Sequence, residues 1–161
     1  MTNSVSTSTP IAYILVGVPG VGKTTWVESQ TLLSTYVYLS TDRYVEQFAQ
    51  EDNKPYNVVF KLRMPEAVKC MVDDAIIARN NQQDIIWDQT STNRESRTRK
   101  IDMLQGYRKI AVVFRTPERE ELDRRLASRP NKIIPSYVVD GMIENFEEPT
   151  LDEGFDEIIY V

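Results

Sequence analysis

A chain of 161 residues, 41% apolar and 27% charged, has room for one domain with a sizeable core and not for two comfortable ones. It has no histidine and a single cysteine, Cys70, which excludes Ser-His and Cys-His nucleophile pairs, His-ligated zinc, multi-cysteine metal sites and internal disulfides; no disulfide-linked partner is expected. A proton taken from a hydroxyl then falls to a carboxylate, and the net charge of −5 argues against broad, non-specific duplex binding.

Residues 1–9, MTNSVSTST, are polar and low in complexity and read as a disordered tail, leaving 10–161 as the folded domain. No apolar run approaches the ~18 residues of a membrane span, and no signal core opens the chain, so a cytoplasmic location without a membrane partner is expected. Ile11 to Val16 is a continuous β-prone run that stops at Gly17, as a strand buried on both faces would. A helix is expected from Lys23 to about Ser34, a strand from Tyr36 to Ser40, and a short helix over 42–52 that Pro55 breaks. A longer helix follows from Glu66 to Asn80, then a strand over Ile85 to Trp87, a basic helix from Arg94 to Gly106 and a strand from Ile110 to Phe114. Pro117 opens an arginine-rich helix to about Ser128, Pro135 opens another to about Phe146, and Glu157 to Val161 forms a last strand. The alternation predicts an α/β fold of the P-loop NTPase type, a mainly parallel sheet of about five strands flanked by helices.

Gly17-Val18-Pro19-Gly20-Val21-Gly22-Lys23-Thr24 fits G-x-x-x-x-G-K-[ST], preceded by a strand and followed by a helix as the loop requires. Gly17, Pro19, Gly20, Val21 and Gly22 are expected to wrap the phosphates of ATP or another nucleoside triphosphate, with Lys23 supplying charge, Thr24 ligating Mg²⁺ and Thr25 beside it. Two acids stand at the carboxyl ends of strands, Asp42 after VYLST and Asp88 after DIIW, on the sheet edge where ligands bind in open parallel sheets. Asp42 reads either as a helix N-cap or as a base, and Asp88 either as a holder of the Mg²⁺ shell or as part of an acceptor site. Gln89 to Arg97 is rich in hydroxyls, amides and arginines, suited to a polar or phosphorylated acceptor or to a plain capped loop. The segment from Glu118 to Arg129 reads as a lid in which Arg125 and Arg129, one turn apart, face one ligand; the alternative is a solvated helix laced with salt bridges. Charge is uneven: 12 Lys/Arg against 7 Asp/Glu lie between Asp88 and Lys132, while residues 133–161 carry 8 acids and no base.

GVPGVGKTTW, LSTDRY, DQTSTNRESR, RRLASRP and FEEPTLDEGFDEI, in that order, resemble the kinase domain of the polynucleotide 5′-hydroxyl kinases, phage and animal, across nearly the whole chain from Ile11. The resemblance implies ATP- and Mg²⁺-dependent transfer to 5′-hydroxyl ends of RNA or DNA. It makes Asp42 the general base and Asp88 the carboxylate of the acceptor site; Arg43, Thr90, Arg94 and Arg97 are expected, from their residue types beside these acids, as further acceptor contacts. Arg129, beside Arg125, becomes the lid arginine on the ATP phosphates. The phage members carry an arginine where this chain has Val45, and Arg43 offers a cation nearby. The Asp88 loop also resembles the kinase-like domain of certain nuclear RNA-associated proteins, so a weakly catalytic nucleotide-binding module stays open, as does a kinase of a nucleoside, sugar or antibiotic. No phosphatase segment follows, so that step of any end-repair pathway is expected from another protein.

Overall fold

Ile11–Val16 forms strand β1 at the centre of the sheet, pairing in parallel with β3 (Ile85–Trp87) on one side and β4 (Arg108–Val113) on the other. The chain is described by a computed structural model over residues 8–130 and 132–161; residues 1–7 of the expected tail lie outside the described residues. Strand β2 (Val37–Leu39) adds to β3 and β5 (Glu157–Tyr160) to β4, giving five parallel strands in the order β2-β3-β1-β4-β5. Parallel neighbours need crossovers, and the helices that supply them cover both faces, which is why β1 and β4 are nearly continuous apolar runs.

One face packs Ala12, Ile14, Val16, Leu39, Ile85 and Trp87 against α3 (Tyr56–Asn80) and α4 (Arg94–Met103). The other packs Leu15, Ile86, Val112 and Phe114 against α1 (Lys23–Ser29), α5 (Arg119–Ala127) and α6 (Ser136–Glu144). Each fully buried side chain of this kind stabilises the fold by about 1.5–3 kcal/mol relative to its exposed state.

Two elements differ from expectation. Helix α1 ends at Ser29, and a 3₁₀ turn over Thr31–Leu33 carries the chain to β2. Helix α3 starts at Tyr56 rather than Glu66 and runs 25 residues straight through Pro65. A proline inside a helix costs about 3 kcal/mol. Packing outweighs it here: Val59 and Ala67, on either side of Pro65, close a cluster with Val45 and Phe48 of α2 (Thr41–Asp52). The α2–α3 hairpin is thereby one unit, and it stands beside the carboxyl ends of β2 and β3. Among the described residues no helix is long and apolar enough to cross a membrane.

Candidate active site

The phosphate loop joins β1 to α1. Gly20 (φ +86°) and Gly22 (φ +101°) adopt the left-handed backbone that side chains resist, and this turns the loop around its own N–H groups. A Cβ at Gly20 would come within 3.0 Å of Leu126 and 3.2 Å of Leu122, so α5 lies directly on the loop. Lys23 Nζ donates to the carbonyls of Gly17 (2.7 Å) and Val18 (3.0 Å) at the loop's mouth, and Thr24 and Thr25 are exposed on the first turn of α1. Pro19 and Val21 complete the turn between them.

Burial lowers the Lys23 pKa from 10.5 to about 8; the Asp88 carboxylate and, more weakly, Asp42 oppose the fall, and Arg129 adds to it. The folded value lies below the unfolded one. The buried charge therefore costs stability in full below pH 8, and the cost fades as pH rises from about 8 toward 10.5. Lys23→Met is expected to melt higher than the parent at pH 7, by on the order of 1–2 kcal/mol after allowance for solvent screening, while losing triphosphate binding. Thermal melts at pH 7 and pH 10 check this; an equal gain at both pH values would contradict it.

Ser40, not Asp42, caps α2: its hydroxyl accepts from the Arg43 N–H at 3.4 Å. Asp42 sits in the first helical turn, and its carboxylate faces other elements. Oδ1 accepts from the Tyr56 hydroxyl, and Oδ2 lies 3.8 Å from Arg129 Nη2 and 3.7 Å from Lys132 Nζ. Lys132 also pairs with Glu46. Asp88, at the end of β3, accepts from Tyr38 OH and from Thr24 Oγ1 (3.5 Å) on the same oxygen, Oδ2. Burial pushes the Asp88 pKa up, against the Tyr38 bond and the Lys23 charge, and the Tyr38 phenol is raised in turn by its own burial and by Asp88.

Arg43 is exposed, its guanidinium 5.7 Å from the Tyr38 ring centre and 6.0 Å from that of Tyr44. These three side chains line one end of an open groove of about 390 Å³ along β2. Val45, where the phage kinases carry arginine, is fully buried against α3. That position therefore points into the core in this chain, and Arg43 is the first-turn cation on the surface.

The loop after Asp88 is tied to the phosphate loop, since the Gly17 N–H donates to the Thr90 carbonyl at 2.9 Å. Arg94 pairs on the surface with Asp152 at 2.9 Å. Arg97 corrects the expectation of an acceptor contact. It is fully buried, doubly bonded to Glu153 (2.8 and 3.3 Å) and donates to the Ser91 carbonyl (2.9 Å), so its guanidinium braces α4 against the 3₁₀ turn Leu151–Glu153. The next two residues join the brace: a Cβ at Gly154 (φ +117°) would come within 2.9 Å of Ile101, and Phe155 is buried in the core below.

Ser91 escapes a reading of the sequence. It has φ +46°, strained for a side chain, and its buried hydroxyl lacks a hydrogen-bond partner among the described residues. Ser91→Gly removes both penalties and keeps the carbonyl that Arg97 uses. It is expected to raise the unfolding free energy by on the order of 1 kcal/mol in urea titration; a loss of stability would show the serine to be favoured there.

On α5, Arg125 bonds Glu121 at 2.9 Å, Arg124 bonds the same carboxylate at 2.6 Å, and Arg119 bonds Asp123 at 2.7 Å. The helix is thus laced by salt bridges as well as packed on the loop. Arg129, just past its end, is the arginine turned toward Asp42. Arg125 and Arg129 have separate carboxylate partners. A second cavity, of about 480 Å³, opens at the ends of β4 and β5 between Phe114, Thr116, Phe146 and Tyr160, with Phe114 packed against Gly17.

A phosphate loop, two carboxylates at strand ends and an arginine-bearing helix on one edge of an all-parallel sheet define a P-loop NTPase fold of the kinase-like kind. The chain belongs to the family described as AAA domain, whose pattern matches residues 13–149. It is 26% identical over 150 residues to the bifunctional polynucleotide phosphatase/kinase of Schizosaccharomyces pombe, covering 90% of this chain and 32% of that one. The chain spans a third or less of the length of the curated relatives it matches. Its fold is shared with a chain in a Pnkp1/Rnl/Hen1 RNA repair complex (TM-score 0.66, 20% identity, 90% of this chain and 46% of that one). It is shared too with a gluconokinase from Sinorhizobium meliloti (TM-score 0.54, 15% identity, 96% and 83%). The resemblance to the polynucleotide kinases carried by the five motifs is thus matched along the chain, within a fold that also serves a sugar-acid kinase.

Proposed function

We propose that this domain transfers the γ-phosphoryl group of ATP to the 5′-hydroxyl end of a polynucleotide. The observation that carries the reading is the position of Asp42. It is spared from capping by Ser40 and lies within 3.8 Å of Arg129, the arginine just past the helix that packs on the phosphate loop. The donor's phosphates lie in the loop from Gly17 to Thr24, with Lys23 and Arg129 neutralising charge on the γ-phosphoryl group and its bridging oxygen. The cavity beside Phe114 takes the donor's base.

The acceptor lies on the opposite side, between Asp42 and Asp88, and Arg43 on its two tyrosines meets the acceptor's phosphate or base. The acceptor hydroxyl gives its proton to Asp42 as its oxygen bonds to phosphorus and the β–γ bridge breaks. Mg²⁺ fits the donors present, because the Thr24 hydroxyl and the Asp88 carboxylate are hard oxygen ligands 3.5 Å apart. Mg²⁺ commonly keeps several waters and one or two protein ligands. It would supply charge neutralisation at the β- and γ-phosphates.

Two features support a smaller acceptor instead: the core-facing Val45 and the fold shared with a gluconokinase. Offering γ-labelled ATP and Mg²⁺ with 5′-hydroxyl RNA, 5′-hydroxyl DNA, nucleosides and sugar acids in parallel separates the readings. Label on the oligonucleotides is the expected result. Label on small acceptors alone would overturn it.

A further inference from the structure

We infer that Tyr56 is the positioning residue of the base, fixing Oδ1 of Asp42 by a hydrogen bond and leaving Oδ2 as the oxygen that receives the acceptor's proton. The inference rests on the phosphoryl-transfer reading above and assigns a role within it. The two oxygens of Asp42 have unlike surroundings. Oδ1 accepts the phenol hydrogen of Tyr56. Among the described residues, Oδ2 pairs with the cations Arg129 and Lys132, at 3.8 and 3.7 Å, beyond hydrogen-bond length and near enough to steady a carboxylate. A carboxylate with both oxygens free rotates about χ2 and presents either one. With Oδ1 held, only one orientation remains.

Tyr56 is itself held. It is the first residue of α3, directly after Pro55, whose ring fixes the chain's entry into the helix. Its ring packs 6.0 Å from that of Phe60 and belongs to the α2–α3 cluster of Val45, Phe48 and Val59, while Lys132 Nζ stands 5.2 Å from its centre. Burial and the bond to Asp42 raise the phenol's pKa, so it stays protonated and a donor at neutral pH. Tyr56 lies 14 residues beyond Asp42 on the next helix, where a sequence reading does not look for a partner of the base, and α3 reaches Tyr56 only because it runs through Pro65.

In the step assigned to Asp42, the acceptor O–H proton passes to Oδ2 while the acceptor oxygen bonds to the γ-phosphorus. The bond from that phosphorus to the bridging oxygen breaks, and ADP leaves with the electron pair. Tyr56 contributes no proton. It sets the direction of the carboxylate.

The groups that face Asp42 are Tyr56 from α3, Glu46 from α2, Arg129 and Lys132 from the segment after α5, and, by charge, Lys23 and Asp88 from the loops after β1 and β3. Tyr56→Phe changes none of these charges and keeps the ring under Lys132. It is expected to lower kcat about 10-fold with the KM values for ATP and acceptor unchanged, a split that a loosened site would not give.

Trifluorotyrosine at position 56 keeps a hydroxyl donor for Oδ1 and should retain kcat near the parent's, and it tests the inference even if Tyr56→Phe folds poorly. Tyr56→Phe with kcat near the parent's, or a trifluorotyrosine protein as slow as Tyr56→Phe, overturns the inference. The reading it rests on fails separately: Asp42→Asn retaining transfer would remove the base itself, whatever Tyr56 does.

Discussion

Asp42→Asn is expected to lower phosphoryl transfer by about 10²–10⁴-fold, the usual contribution of a positioned general base, while ATP binding survives. Asparagine keeps an oxygen for the Tyr56 hydroxyl and changes the volume little, so α2 and α3 stay packed; it cannot accept the acceptor's proton. The phosphate loop is untouched, since Gly17 to Thr24 and Lys23 reach it without Asp42. Removing a negative charge beside Arg129 and Lys132 frees both cations for the triphosphate, so ATP affinity should hold or tighten. Initial rates with saturating ATP, set beside calorimetric ATP binding, measure the two effects separately. Transfer within about tenfold of the parent would exclude Asp42 as the base.

The second large effect is on stability. Arg97→Ala leaves the Glu153 carboxylate buried without its partner, and breaking such a pair from one side typically costs about 3–5 kcal/mol. Side chains of both residues are at most 1% exposed, so water does not take over the lost bonds. The α4 brace, the Ser91 carbonyl and the 3₁₀ turn before β5 loosen together. Arg97→Leu combined with Glu153→Leu removes both charges and is expected to recover most of the loss, because well-packed apolar groups often match a buried ion pair. Urea unfolding of the single and double variants tests this. A single variant as stable as the parent would mean that the pair is solvated in solution and that Arg97 is free for another task.

The phosphate loop, the parallel sheet and the two strand-end acids are legible in the sequence because each is a local pattern. An apolar run, a glycine turn and a helix follow one another within a few residues, and the carboxyl ends of parallel strands all face one edge. What resists reading depends on distant partners. Arg97 and Arg94 lie in the same polar run and look alike, yet one is buried by Glu153, 56 residues further on, and the other stays at the surface with Asp152.

Each residue of the EGF segment in the tail has a place in that brace: Glu153 on Arg97, Gly154 under Ile101 and Phe155 in the core. Helix α3 hides in the same way, since Pro65 suggests a break that only the α2 contacts prevent. Val45 reads in the sequence as a missing cation, and its burial gives the structural side of that change: the helix turns the position inward and leaves Arg43 outside.

The most direct measurement of the central claim is the position of the transferred label. The protein is incubated with γ-labelled ATP, Mg²⁺ and a matched pair of oligonucleotides, one ending in a 5′-hydroxyl and one in a 5′-phosphate, and the products are digested to mononucleotides. Label is expected as the 5′-monophosphate of the first nucleotide, from the hydroxyl oligonucleotide alone, and is lost in Asp42→Asn. No label on either oligonucleotide, with ATP turned over or a small acceptor phosphorylated instead, would contradict the central claim.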